Sequence, residues 1–456
     1  MRSLAGLVGV PTISSDPRRA ADLRRCARGL AARLVRAGMR PVRLLTPARH
    51  PLVVAEHRRG GRRPLVVLYA HYDVQPAGPG WSSPPFRPRR RGADLYGRGA
   101  SDNKGQMLCH LLAVERLLAR GGLPADVIVV LDGEEEIGSP GLPDVLRPLV
   151  RRLRPDAALI SDTRMLAPGR PAFTVGLRGS LAVELELQGP REDLHSGAFG
   201  GAVHNPLQAL CEVVAGLHDA RGRIAVKNLY AGVGRLPPDE RALRSDRETL
   251  VAAGVPRLWG EPGYSAYERT VGRPALTVNG LTSGHQGPGP MAVIPARASA
   301  KLSLRLVPGQ DPNDAERALR AHLACAVPAT QRWRLTRQSA SAPVLLDAGD
   351  AAHRPAARAC LQVWGVPPVP LRSGGSIGAA ELLAGRLGVP TVLLGFALPD
   401  DRAHGPDEKF HLPHLALGAD TVAAFLRELA QGLPRRQFMA SPCLGDRRMS
   451  RATSVS

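Results

Sequence analysis

Five side chains scattered along the sequence are of the types that hold divalent cations: His71, Asp102, Glu136, Asp162 and His404. Neutral imidazole and carboxylate together suit zinc or manganese, and a further carboxylate beside them can move a proton during hydrolysis. Glu136 closes the acidic run Asp132-Gly133-Glu134-Glu135-Glu136. Three consecutive carboxylates at the end of an apolar segment repel one another unless a cation compensates or solvent screens them. Asp73 follows His71 by two residues, on the same side of an extended chain. There it can accept the second ring N–H of His71 and fix its tautomer. Taken singly, each position is more often structural than a ligand: a histidine after a strand is usually a surface or hydrogen-bonded residue, and an acidic run a solvated turn. His57, His110, His204, His218, His285, His322 and His353 have no comparable setting and read as structural or surface residues. The chemistry depends on whether the fold brings the five together.

The segments that precede these residues are short and continuously apolar. Leu65–Ala70 ends at His71, Val127–Leu131 runs into the acidic run, Ala157–Ile160 leads to Asp162, and Val389–Phe396 leads toward His404. Segments 20–37 and 106–120 carry helical periodicity, the second closed by Gly121-Gly122. Apolar runs separated by helices read as buried parallel strands, hence an α/β fold with helices on both faces of a mainly parallel sheet. In such sheets ligands bind outside the carboxyl ends of the strands, which is where His71, Glu136, Asp162 and His404 fall. Asp102 joins them from the loop 99–105. From about residue 175 the texture changes. Residues 181–187 and 298–306 alternate strictly, as half-exposed antiparallel strands do; 206–218 is helical, and 230–289 reads as loop-rich. The expected organisation is a metal-binding catalytic domain over 1–176 and 338–432, with an inserted α+β lid over 177–337. Hinges are expected near Gly176 and Ser339, helices at 351–364 and 415–429, and a disordered basic tail at 433–456.

Composition excludes several function classes. A hydrophobic fraction of 44% over 456 residues rules out a disordered chain and supports two domains. The net charge of +21 invites a nucleic-acid reading, but only four of the 61 basic residues are lysines, the arginines are spread throughout, and aromatics are 4%. Nucleic acid is therefore not an expected partner. No apolar run approaches the ~20 residues of a membrane helix, so no membrane association is expected. The N-terminus lacks a small-residue cleavage signal and reads as mature sequence. Six cysteines, at 26, 109, 211, 325, 360 and 443, show no paired spacing, which fits a reducing cytoplasm.

Three blocks carry a family resemblance: Ala70-His71-Tyr72-Asp73-Val74-Gln75-Pro76, the segment 97–105 (GRGASDNKG), and Gly133-Glu134-Glu135-Glu136-Ile137-Gly138-Ser139. They resemble the signature blocks of carnosinase-like dipeptidases. These belong to the co-catalytic zinc peptidases that also include aminoacylase, glutamate carboxypeptidase and succinyl-diaminopimelate desuccinylase. The resemblance spans nearly the whole chain in the family's order, with the family's first helix shortened. It implies a zinc-peptidase-like catalytic domain with a lid that forms a homodimer. It also implies two divalent cations per subunit, zinc first, with manganese or cobalt as alternatives. Asp102 would bridge both cations, Glu136 and His404 would complete one site, and His71 and Asp162 the other. Glu135 would be the general base, with Asp73 supporting catalysis behind His71. His195, in Asp193-Leu194-His195-Ser196-Gly197, would stabilise the oxyanion in the partner subunit's active site. Arg305 would bind the substrate carboxylate, and Gly375 and Ser376 would line the pocket. The implied reaction is hydrolysis of a small peptide with a free C-terminal carboxylate by a metal-bridged hydroxide. An N-acyl-amino-acid deacylase or desuccinylase is the alternative, and a catalytically inactive binding protein the remoter one. Met291-Ala292 stands where the family has Lys-Thr, Gly378 where proline is common and Asp407 where asparagine is common. These departures bear on substrate identity, not on the cation ligands.

Overall fold

The computed structural model describes residues 2–61 and 63–432; the tail expected to be disordered lies outside them. Its central sheet has six strands, in the order Val42–Leu45, Leu52–His57, Asp126–Asp132, Leu65–His71, Ala157–Ile160 and Thr391–Leu393. The last four are mutually parallel and the first two pair antiparallel. Every residue of Leu65–His71 and Asp126–Asp132 is buried, because helices cover both faces. Ala20–Ala37, Gln106–Ala119, His353–Trp364 and Pro413–Gly432 pack one face; Leu142–Leu153 packs the other. The expected strand 389–396 shortens to Thr391–Leu393. Beyond it Leu394 bridges to Phe173 in a small neighbouring sheet, and the chain leaves the central one.

The second sheet is antiparallel, in the order Ala275–Ser283, Arg297–Leu306, Gly179–Gln188 and Arg332–Ser341. In Gly179–Gln188 every other residue is buried, and the inward set packs under helices Pro206–Ala215 and Pro312–Ala326. The loop-rich region 230–289 also carries the short helices Pro238–Arg241, Asp246–Ala253 and Ala266–Val271 and the edge strand Ala275–Ser283, which the sequence did not announce. That strand hid because most of its residues are at least partly exposed and a register shift at Val278–Gly280 breaks its alternation. Gly176 lies inside strand Ala172–Leu177, and Ser339 sits at a register shift in Arg332–Ser341.

A small sheet of Arg89–Arg91, Asp94–Tyr96 and Lys409–His411 lies beside the central one. It fastens the chain just before Asp102 to the chain just after His404, with Tyr96 paired to Lys409.

Candidate metal centre

The carboxyl ends of the parallel strands converge as the sequence suggests. Asp102 sits between two imidazoles: its Oδ1 is 3.0 Å from His71 Nε2 and its Oδ2 is 3.0 Å from His404 Nε2. His71 Nε2 also lies 3.4 Å from Asp162 Oδ1, and His404 Nε2 lies 3.2 Å from Glu136 Oε2. Two triads result, His71–Asp102–Asp162 and Asp102–Glu136–His404; within each, one ligand atom per residue lies within 4.8 Å of the others. They share Asp102.

Neighbouring backbone and side chains fix each group. Asp73 is fully buried; its Oδ1 lies 3.3 Å from His71 Nδ1, and its own carbonyl lies 3.1 Å from the same nitrogen. Its two oxygens accept the N–H groups of Glu135 and Glu136 at 3.2 and 3.0 Å. One carboxylate thus orients both the histidine and the acidic turn. Glu134 departs from the expected crowd. It turns away to accept the N–H groups of Arg49, His50 and Gly141, so backbone dipoles, not a cation, compensate it. Gln75, which sequence reasoning passed over, donates its amide to Glu136 Oε2 at 2.9 Å. Asn103 donates to Asp162 Oδ1 at 2.8 Å. The Asp102 loop turns on Gly99, at φ 81°, where a Cβ would run into the Val74 side chain. Glu408, buried and also missed, accepts the N–H groups of Gly99, Ser101 and Asp102. Both omissions have one cause: a glutamine and a glutamate in loops carry no signal until their partners arrive from elsewhere in the chain.

Charge is heavily concentrated here. Burial opposes ionisation of Asp102, yet the His404 and His71 rings hold its carboxyl far below the usual range. Asp102 and Glu136 in turn push His404 up to about 10. Burial pushes Glu136 and Asp162 up, with Asp102 adding repulsion in each case. Burial, with Asp162, Glu136 and Asp73, pushes Glu135 well above the carboxylate range against the pull of His71. Carboxylates buried and crowded in this way are donors whose charge a divalent cation would neutralise. The donor set of nitrogen and carboxylate oxygen fits such an ion, and Glu136 Oε1 is buried with no hydrogen-bond partner.

The residues expected to meet substrate fall into two groups. Arg305 and Ser376 come together, with Arg305 Nη1 donating to Ser376 Oγ at 3.4 Å. The Gly375 carbonyl accepts the N–H of Arg178 at 3.1 Å. His195 stands apart, in a two-residue strand that pairs with Val293–Ile294. Its ring Nδ1 accepts the Gly197 N–H at 3.0 Å, and among the described residues it makes no hydrogen bond or ion pair to the metal cluster. Ala292, where the family threonine is absent, accepts the N–H of Ser196 beside it.

Known proteins resemble this chain over most of its length. The chain is similar to the Cys-Gly metallodipeptidase dug1 of Schizosaccharomyces pombe, 29% identical over 84% of each chain. Its structure is similar to the solved dipeptidase Dug1p of Saccharomyces cerevisiae, with a TM-score of 0.84 at 27% identity, covering 94% of this chain and 95% of that one. Human carnosine dipeptidase 1 gives a TM-score of 0.83 at 28% identity over 94% and 95% of the two chains. No helix among the described residues is long and apolar enough to cross a membrane. Residues 67–428 match the model of peptidase family M20/M25/M40, and the chain belongs to that family of metal-dependent peptidases.

Proposed function

We propose that the chain is a dipeptidase that cleaves the amide bond preceding a free C-terminal carboxylate, with two cations at the sheet edge. His71, Asp102 and Asp162 would hold one, and Asp102, Glu136 and His404 the other. Zinc suits the ligands best, with manganese or cobalt as substitutes. When bound, such cations polarise a carbonyl and acidify a water. The observation that carries the reading is Asp102, whose two oxygens face two different histidines at 3.0 Å each.

The chain's own groups supply the rest. Glu135 is half-buried beside both triads, with its backbone anchored on Asp73. It takes the proton of the attacking water and passes it to the leaving amine, a role worth ~10²–10⁴ in rate. Asp73 keeps the His71 ring in place throughout. Arg305 presents a fork that matches a carboxylate, and Ser376 positions that fork. The similar dipeptidases are named for Cys-Gly and carnosine, and a carboxylate clamp accounts for what such peptides have in common. Segments 1–176 and 338–432 would form the catalytic domain and 177–337 a lid. The edge strand Ala275–Ser283 exposes Val278 and Leu281, as a homodimer through the lid would use them. In that assembly His195 would serve the partner's centre and stabilise the oxyanion. The free, unpaired cysteines among the described residues fit a reducing, cytoplasmic setting.

The test is a substrate panel with metal-loaded protein. Dipeptides with a free C-terminus are hydrolysed, their C-terminal amides and N-acetyl amino acids are not, and Glu135→Gln loses about 10²–10⁴ in kcat while retaining its metal. Faster cleavage of N-acyl amino acids than of dipeptides would replace this reading with a deacylase.

A further inference from the structure

We infer that Arg178 is a second anion-binding residue beside Arg305, and that the protein selects peptides whose C-terminal residue is itself acidic. The identity of the ligand as a peptide rests on the dipeptidase reading above; the anion site itself does not.

Arg178 immediately precedes strand Gly179–Gln188, and Ser180 in that strand pairs directly with Arg305. Alternation therefore sets Arg178, Ser180 and Arg305 along one face of the sheet. It is the half-exposed face, opposite the one the helices cover. Arg178 Nε donates to the Gly374 carbonyl at 3.0 Å, and its backbone N–H donates to Gly375. Ser376, the next residue of that loop, meets Arg305. One short loop thus holds two guanidinium groups side by side.

Neither has a counter-charge: among the described residues no ion pair is formed by Arg178 or Arg305. The buried arginines elsewhere among the described residues are paired, Arg98 with Glu408 at 2.7 Å and Arg273 with Glu261 at 2.8 Å. Arg178 is half-buried, and the charged group that acts on it is Arg305, of the same sign. Burial and that neighbour push it down to about 10, so it remains a cation. Two adjacent, partly desolvated cations with no carboxylate repel each other unless a ligand brings the negative charge. A single α-carboxylate satisfies one fork. The second fork calls for a second carboxylate, which the side chain of a C-terminal glutamate or aspartate supplies.

Two measurements test this. For the wild type, kcat/KM for Ala-Glu exceeds that for Ala-Gln by about 10- to 100-fold, the size of one charge-assisted hydrogen-bonded pair. Arg178→Gln brings that ratio to near one, and Arg178→Lys retains part of it. If Arg178 only fastened the Gly374–Gly375 loop, Arg178→Gln would lower both substrates equally; that result overturns the inference. Calorimetric binding of L-glutamate and L-glutamine to the metal-loaded protein reads the site without turnover. Tighter binding of glutamate, lost in Arg178→Gln, supports the anion site even if no dipeptide is cleaved, an outcome that would sink only the dipeptidase reading. Equal binding of the two amino acids overturns the anion site whatever the protein hydrolyses.

Discussion

The Arg98 guanidinium donates to the Glu408 carboxylate at 2.7 Å in an ion pair with almost no exposure on either side, and through it the two loops that carry Asp102 and His404 are tied together. Arg98 also donates to the His404 carbonyl at 2.9 Å, while Glu408 accepts the backbone N–H groups around Asp102. Removing one partner leaves the other as an uncompensated buried charge, so Arg98→Met and Glu408→Gln should each lose about 3–5 kcal/mol in urea unfolding. The double variant should recover part of that stability, since no bare charge remains. Its cation affinity should stay low, because the loop carrying Asp102 has lost its full acceptor. A double variant that titrates cations like wild type would show that the pair does not position the ligands.

Asp102 belongs to both triads, so substitution there differs in kind from substitution elsewhere. Metal analysis of Asp102→Ala should find both cations weakened. His71→Ala and His404→Ala should each weaken one more than the other. Cation binding also stabilises the fold, by about 2.7 kcal/mol at a hundredfold excess over Kd, so a chelator should lower Tm in the wild type and hardly at all in Asp102→Ala. Equal metal content in all three variants would contradict a shared ligand.

Gln75 donates to Glu136 both at Oε2, 2.9 Å, and at the backbone carbonyl, 3.2 Å. Such supporting bonds typically govern affinity by 10–100-fold. Gln75→Ala should weaken one cation by roughly that factor and spare the one held by His71 and Asp162. Competition with a chromogenic chelator separates the two affinities.

His110 lies fully buried behind Ser161, with Nε2 2.8 Å from the Ser161 hydroxyl. Burial pushes its pKa down to about 3 from 6.5. The folded protein therefore refuses a proton that the unfolded chain accepts. The stability from the neutral ring is complete above about pH 6.5 and is lost as pH falls toward 3, by up to a few kcal/mol. His110→Gln should flatten that part of the unfolding profile. An unchanged acid slope would place the titration elsewhere.

Much of the site was legible because its signal is local. His71, Glu136 and Asp162 each follow an apolar run, and a parallel strand buried on both faces must be written as such a run, so these three could be placed at one sheet edge from spacing alone. Helix Ala20–Ala37 was equally legible, since its buried residues recur at helical spacing and Gly38, at φ 99°, ends it. The strand Ala275–Ser283 was not, because its exposed edge position removes the alternation that announces a half-buried strand.

The sequence by itself determined which residues could ligate and which segments carry them, because residue type and hydrophobic period are written one position at a time. Only the tertiary structure decided that Glu134 turns to backbone N–H groups while Glu136 faces His404. The same holds for Glu408 closing on a loop more than three hundred residues earlier, and for Arg178 standing beside Arg305 without a counter-charge. Electrostatic and hydrogen-bond partners are chosen by distance in space, and that distance exists only once the strands and loops are in register.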